Sequence, residues 1–580
     1  MKQLMLGNQA VARGLWQAGC QVVSSYPGTP STEITEFAST YPELYTEWAP
    51  NEKVAYEAAM GASIGGARAF CAMKHVGLNV AADPLFTTAY TGVGGGMVAA
   101  VADDQGMHSS QNEQDSRNYA VAAKVPMVEP ADSQECASYT QEAFRLSEEY
   151  DTPVLLRLST RVSHSQSLVE LADRQDLPLK TYQKDPGKYV MMPANAKKRR
   201  LVVEERMKSL LDYAETTPLN RVEEGSDRRI GVITAGICYQ YVREAMPEAP
   251  VLKLGLLNPL PVDLIKKFAA TVDTVVVAEE LDPVIETHCL AIGVAVKGRE
   301  LFGGIGELSQ NLIREKLLKE PPAPHLDSLE SLPVRPPILC PGCPHRGLFF
   351  TLQKLGLTVF GDIGCYTLGS LPPLSAMDTT LCMGASVSGL HGFLKAQGAE
   401  AAKKAVAVIG DSTFVHSGIT GLIDTVYNRG LSTVVILDNS ITGMTGHQEN
   451  PSTGRDIRHQ PAPRLSLEET CRAAGVEKVL VADPGDLKAI SAAVREALDH
   501  QGPAVVIARR PCILLKGVER RPALWVEEER CVGCRACMTI GCPAISFRDK
   551  KARIDQTLCV GCGLCAGLCG KTAIKEGETL

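Results

Sequence analysis

Two copies of one cysteine run close the chain: CVGCRACMTIGCPAISF begins at Cys531 and CVGCGLCAGLCGKTAIK at Cys559. Each supplies three thiolates at C-x2-C-x2-C spacing and a fourth further on, the ligand pattern of paired iron–sulfur cubanes in which the fourth cysteine crosses to the other cluster. That rule joins Cys531, Cys534, Cys537 and Cys569 on one [4Fe-4S] cluster, and Cys559, Cys562, Cys565 and Cys542 on the second. Two departures stand out. The gap between Cys537 and Cys542 is one residue longer than usual, and Gly570 stands where a proline is common. C-x2-C pairs also build zinc ribbons, but two homologous quartets with no histidine nearby favour cubanes and a tail that moves electrons.

Nineteen cysteines would be a disulfide framework only in an oxidising compartment, and the start MKQLMLGNQAVARGLWQAGC has no apolar core and cleavage site of a secretory leader. No apolar run approaches the ~18 residues of a membrane span. The expected location is the cytoplasm. A net charge of −7 with mixed signs leaves no basic stripe for nucleic acid. Eight cysteines sit in the tail and four more, Cys340, Cys343, Cys365 and Cys512, bracket one earlier segment. The other seven (Cys20, Cys71, Cys136, Cys238, Cys289, Cys382 and Cys471) are single and read as small buried hydrophobes.

At 580 residues the chain exceeds what one core supports. Strand and helix alternate from 1 to 190: GNQAVARGLWQAG has helical spacing, QVVSSYPGTP is a strand entering a turn, VAYEAAMGASIGGARAF a small-residue helix, and TPVLLRLS a strand. A charged stretch, 191–227, reads as a linker with one solvated helix. Residues 228–325 form a small α/β unit with strands RRIGVITAG, VLKLGLLNPLP and TVDTVVVAEE. The proline-rich LPVRPPILCPGCP marks the start of a third α/β unit, 326–520, with strands AVAVIGD, STVVILDN and PAVVIARR. The cysteine tail is 521–580.

Chemistry concentrates at strand ends in the third unit. In an open parallel sheet ligands lie beyond the carboxyl ends of strands, and there stand Gly410, Asp411 and Ser412 after one strand and Asn439 after the next. Asp411, Asn439 and a backbone carbonyl near Ile441 are hard oxygen donors suited to Mg2+. Turns at CMGASVSG (Gly384, Ser386) and GDSTF offer N–H groups to a diphosphate. Aspartate and serine after a strand also simply cap helices. With asparagine at the following strand end, however, the pattern resembles the thiamin diphosphate motif G-D-G … N, Ser412 replacing the last glycine. That cofactor also needs a buried glutamate at its aminopyrimidine ring, contributed by another domain. Glu52, in APNEKVAYEAAMGAS, is the candidate and Glu57 the runner-up.

Taken together, SYPGTPSTE, NEKVAYEAAMGAS, CPGCPHR, GDIGCYTLG, GDSTFVHSG, NSITGMTGHQENPSTG and the cysteine tail resemble the 2-oxoacid:ferredoxin oxidoreductase superfamily. Within it they look like the large (alpha) subunits of indolepyruvate:ferredoxin oxidoreductases. The resemblance spans the chain and implies a fold of class α/β: a pyrimidine-binding domain (1–190), a transketolase C-terminal-like domain (228–325), a thiamin diphosphate and Mg2+ domain (326–520) and a two-cluster ferredoxin-like domain (521–580). It implies that Thr29 lies near the substrate carboxylate, that Glu52 activates thiamin, and that Thr445 joins Gly384, Ser386, Gly410, Asp411, Ser412 and Asn439 in holding the cofactor. CPGC alone could be a zinc knuckle, a dithiol or half of a cluster site. The resemblance assigns Cys340, Cys343, Cys365 and Cys512 to a third [4Fe-4S] cluster beside the thiamin. His345 and His447, next to these motifs, read as structural residues in the first instance. The activity implied is oxidative decarboxylation of an aryl 2-oxoacid with coenzyme A, electrons passing to ferredoxin, in an α2β2 assembly with a gamma-type beta subunit. Another 2-oxoacid:ferredoxin oxidoreductase, for phenylpyruvate or a branched-chain 2-oxoacid, a non-oxidative thiamin-dependent 2-oxoacid decarboxylase and an electron-transfer protein on a degenerate scaffold are the alternatives.

Overall fold

The computed structural model describes residues 1–320 and 336–577, in two compact units, Met1–Leu329 and Glu330–Leu580. The expected boundary at 325/326 and the first residues of LPVRPPILCPGCP lie outside the described residues.

The first unit is built on a seven-stranded sheet in the order Leu256–Asn258, Met127–Val128, Val154–Ser159, Met97–Asp103, Ala69–Lys74, Val22–Ser25 and Tyr45–Trp48. All pairs are parallel except the first. Met97–Asp103 and Val154–Ser159 are buried along their whole length, which is why they do not alternate; the charged exceptions, Asp103 and Arg157, pair with each other. Beside it lies a four-stranded sheet, Thr274–Ala278, Ile230–Ala235, Val251–Leu254 and the antiparallel edge Arg221–Glu223.

Three readings change. The small-residue helix does not run to Phe70: it spans Glu52–Ile64, stopped by Gly65 and by Gly66 at φ +97°, and Ala69–Lys74 is a central strand. A side chain at Gly66 would also meet the Lys180 carbonyl oxygen at 2.0 Å. VLKLGLLNP is two strands rather than one. The chain breaks at Gly255, where any Cβ would lie 2.5 Å from the Tyr139 hydroxyl, and passes from the small sheet to the edge of the large one. Finally, 191–227 is more than a linker. Its helix, Pro193–Thr216, buries Val203, Arg206, Leu210 and Ala214, and Arg221–Glu223 pairs within the small sheet.

Charges are buried in this unit. Arg157 donates to Asp103 at 2.7 Å and to Glu129 at 2.7 Å, and near them Glu280 accepts the Leu308 N–H at 2.8 Å. Burial, reinforced by the neighbouring charges of Glu307 and Glu129, pushes the Glu280 carboxyl up to about 7. Because the folded state holds this proton more tightly than the unfolded chain does, stability falls as pH rises from about 4.5 to about 7 and is flat above. Glu280→Gln should therefore leave stability unchanged near pH 4 and raise it at pH 8, on the order of 2 kcal/mol, as read from denaturant melts across that range.

The second unit carries a five-stranded parallel sheet ordered Thr358–Phe360, Ala405–Gly410, Thr433–Asp438, Ala504–Arg509 and Lys478–Ala482. The tail adds two antiparallel pairs, Leu524–Val526 with Ile574–Glu576 and Ile545–Arg548 with Lys551–Ile554. Its apolar residues Leu524, Ile540, Ile545, Leu564 and Ile574 share one core with the sheet. Of the seven single cysteines six are buried; Cys382 is exposed, a correction to the uniform reading. Among the described residues no helix is long and apolar enough to cross a membrane.

Candidate functional site

Four neighbouring strands of the second unit end at one edge, and each end carries a residue singled out above. Asp362 and Cys365 follow Thr358–Phe360, Asp411 follows Ala405–Gly410, Asn439 and Ile441 follow Thr433–Asp438, and Cys512 follows Ala504–Arg509. Asp411, 2 % exposed, opens a helical turn. Its carboxylate accepts the Ser412 N–H at 2.8 Å and the Ser452 hydroxyl at 3.2 Å. The Asn439 side-chain oxygen stands 3.2 Å from Asp411 Oδ1 and 3.0 Å from the Ile441 carbonyl oxygen; turned over, the amide nitrogen donates to both.

With the nitrogen inward the amide is satisfied by hydrogen bonds alone; with its oxygen inward it would set three hard oxygen donors together, as a cation would require. An octahedral ion with bonds of about 2.0–2.1 Å sets neighbouring ligand oxygens about 3 Å apart, so these donors fit Mg2+ in kind and spacing. Burial, with the charge of Asp438 beside it, pushes the Asp411 carboxyl up to about 7. A divalent cation would reverse that by favouring the charged form. Asp438 itself is fixed by Arg509 at 2.6 Å, which is also clamped by Glu468.

The expected diphosphate donors are only partly free. The N–H groups of Gly384 and Ser386 donate to Asp362 at 2.9 and 3.0 Å, so the offered N–H groups of this turn are already engaged. Asp362 is fully buried, and burial raises its carboxyl. Gly410 is needed for space: a Cβ there would lie 2.7 Å from the Tyr366 ring, whose hydroxyl donates to the Ile363 carbonyl at 2.9 Å. Thr445 donates to Gln448 within the loop closed by Thr442 and Gln448. His447 lies in the same loop at φ +71°. His345 is buried, its ring edge-on to Tyr366 at 6.1 Å, and burial lowers its imidazole to about 4. Asp362, Ser452 and Tyr366 were not picked from sequence, although GDIGCYTLG and ENPSTG hold all three.

The four cysteines of the earlier segment come together. Cys340 bears on the ionisation of Cys343, Cys365 and Cys512, and Cys365 on that of Cys343. Burial pushes Cys343 up to about 12 and Cys365 up to about 11, so without a metal they stay as thiols. This quartet adjoins the oxygen site. The Cys512 N–H donates to the Asn439 carbonyl at 2.9 Å, and a Cβ built on Gly443 would lie 3.5 Å from Cys365 Sγ and 3.7 Å from Asn439 Nδ2.

In the tail, one cavity is lined by Cys531, Cys534, Cys537 and Cys569 and a second by Cys542, Cys559, Cys562 and Cys565. The chain before Cys542 forms the 3-10 turn Ala536–Ile540, and Cys542 lines the second cavity. Backbone N–H groups of Leu524 and Ala573 donate to Cys559 Sγ at 3.3 Å and Cys569 Sγ at 3.2 Å. Among the described residues no three or more Cys, His, Asp or Glu side chains close around one ion-sized point; the thiols stand around cavities.

In the first unit Glu52 begins the helix Glu52–Ile64, capped by Asn51, which accepts the Val54 N–H at 2.9 Å. It is 5 % exposed and packs on Gly77, where a Cβ would lie 2.6 Å from its Oε1. Glu57, the runner-up, pairs with Lys53 at 3.4 Å on a solvated face. Lys74 feels the charges of Asp104 and Glu52 and donates to the Ser109 carbonyl at 2.9 Å. The Ser109 hydroxyl reaches the Thr29 carbonyl at 3.4 Å. Lys74 was missed because nothing local distinguishes it from a surface lysine.

Residues 13–226 match the family described as pyruvate flavodoxin/ferredoxin oxidoreductase, thiamine diP-binding. Residues 362–508 match the C-terminal TPP binding domain of thiamine pyrophosphate enzymes. Among curated proteins, an indolepyruvate oxidoreductase subunit IorA of Archaeoglobus fulgidus is 40 % identical over 100 % of this chain and 98 % of its own. One from Methanothermobacter marburgensis is 43 % identical over 99 % of this chain and 97 % of its own. Among solved structures, 2-oxoglutarate:ferredoxin oxidoreductase from Magnetococcus marinus is similar at 19 % identity and TM-score 0.46, over 55 % of this chain and 65 % of that one.

Proposed function

The chain belongs to the family of indolepyruvate oxidoreductase IorA subunits, thiamin-diphosphate-type oxidoreductases, and from that premise we propose that it oxidatively decarboxylates aryl 2-oxoacids, indolepyruvate first among them. One 2-oxoacid and one coenzyme A give one acyl-CoA, one CO2 and one proton, and two electrons leave singly to two ferredoxins. The enzyme works in the cytoplasm with a smaller gamma-type beta subunit as α2β2. Its groups are thiamin diphosphate, Mg2+ and three [4Fe-4S] clusters.

When bound, thiamin diphosphate supplies the nucleophilic carbon that makes loss of CO2 possible. The chain's residues position and protect it. Asp411, Asn439 and the Ile441 carbonyl would hold Mg2+, and Gly410 and Ser412 at the turn, with Thr445 in the following loop, would hold the cofactor beside it. Asp362 fixes the turn of Gly384 and Ser386 that flanks them. Glu52, buried at its helix start, holds the proton exchanged with the pyrimidine ring nitrogen, and Thr29 faces the substrate carboxylate. Cys340, Cys343, Cys365 and Cys512 would hold one [4Fe-4S] cluster and the two tail quartets one each, groups that would supply one-electron transfer.

The observation that carries this reading is the adjacency at Gly443: the cation-type oxygens and a cysteine quartet share one sheet edge. Electrons released at the first have a cluster site beside them. The test is anaerobic reduction of ferredoxin or viologen by the chain with its partner, across aryl and branched 2-oxoacids. Fastest CoA-dependent reduction with aryl substrates supports the reading. Aldehyde release without CoA or acceptor points to a simple decarboxylase instead. Asp411→Ala should weaken Mg2+-dependent binding of thiamin diphosphate at least about a hundredfold, measured by calorimetry, while leaving the irons in place.

A further inference from the structure

Arg346 follows CPGCPH and is 3 % exposed, yet among the described residues it has no carboxylate partner. Its guanidinium is spent on main-chain oxygens of two separate loops. Nε donates to the Cys340 carbonyl at 3.0 Å and another nitrogen to Leu339. Nη1 donates to Ile540 at 3.2 Å and to Gly541 at 2.6 Å, the residues just before Cys542. It therefore ties the CPGC loop to the tail. It also lines the cavity of Cys542, Cys559, Cys562 and Cys565, and thiols from both quartets, Cys542 and Cys562 with Cys343 and Cys340, act on its charge. The CPGC loop also meets a second tail loop at Gly342, where a Cβ would lie 2.2 Å from Val560, next to Cys559.

Burying a guanidinium without a counter-charge is costly. A cubane held by four thiolates is anionic and gains one more negative charge on reduction, so a cluster in each quartet supplies the missing anion. We propose that Arg346 is a fixed positive charge placed between two cluster sites, where it holds the inner tail quartet against the CPGC loop and makes that quartet's cluster easier to reduce. The electron lost at the CPGC quartet is the one gained at the inner tail quartet. Arg346 stays protonated, so no proton or further reactant is involved. This inference rests on the three-cluster reading above, and Arg346 acts as a positioning residue.

The test uses the anaerobically purified chain with its partner subunit, by iron analysis and redox-poised EPR. Near-zero iron in the wild type would sink the three-cluster reading and this inference with it. In loaded protein, Arg346→Gln should shift the reduction equilibrium of one tail cluster about tenfold toward the oxidised form, ~59 mV for a one-electron couple, with iron content unchanged. Arg346→Lys, which keeps the charge but not the fork, should stay within about threefold of wild type. An unshifted Arg346→Gln, or an Arg346→Lys shifted as far as the glutamine variant, overturns the proposal. Should Arg346→Gln fail to hold iron, Arg346→Lys decides: a wild-type potential supports the charge role, and a tenfold shift refutes it.

Discussion

Glu52→Gln is expected to lower turnover by about 10²–10⁴-fold, the range associated with losing a positioned proton-transfer group, while thiamin diphosphate still binds. The substitution keeps shape and burial at a helix start already capped by Asn51, so folding should be little affected. Glu57→Gln is the matched control. Its carboxylate pairs with Lys53 across solvent, where such pairs contribute roughly 0–1 kcal/mol, and activity should stay within about twofold. The readout is steady-state ferredoxin reduction with both subunits, alongside calorimetric binding of the cofactor. Equal losses in the two variants would remove Glu52 from the activating role. Loss of cofactor binding in Glu52→Gln would make it a binding residue instead.

What could be read from sequence was what neighbouring residues determine. The tail quartets follow from C-x2-C spacing, and the cavities gather the same two sets of four thiols. Asp411, Asn439 and Ile441 stood out because apolar runs end just before them, and strand ends in a parallel sheet share an edge. Glu52 was preferred to Glu57 on the resemblance alone; the fold buries Glu52 against Gly77 and leaves Glu57 beside Lys53. The misses have a common cause. Asp362 acts on Gly384 and Ser386, Ser452 on Asp411, and Arg346 on Ile540 and Gly541, partners distant in sequence. The split of VLKLGLLNP at Gly255 depends on Tyr139, which no periodicity reveals.

Cys365→Ser should remove one cluster and leave the other two, lowering iron from about twelve to about eight per chain. The four thiols are assembled from three places in the sequence, and Cys365 and Asn439 both lie within 4 Å of a Cβ built on Gly443. A thiolate–iron bond replaced by a weaker alkoxide donor costs the site its closure, and the proton cost of ionising the rest is no longer recovered. On the proposed function this cluster is the first acceptor, so acceptor reduction should then fall at least about a hundredfold. Cofactor binding and slow aldehyde formation should persist, since Asp411, Asn439 and Ile441 are untouched. Exposed Cys382, which lies outside the quartets, gives the control: Cys382→Ser should keep both iron and activity. Iron near twelve in Cys365→Ser would show that this quartet binds no cluster through Cys365. Iron near eight in the wild type would leave the tail clusters alone, and electron release beside Gly443 would need a different acceptor.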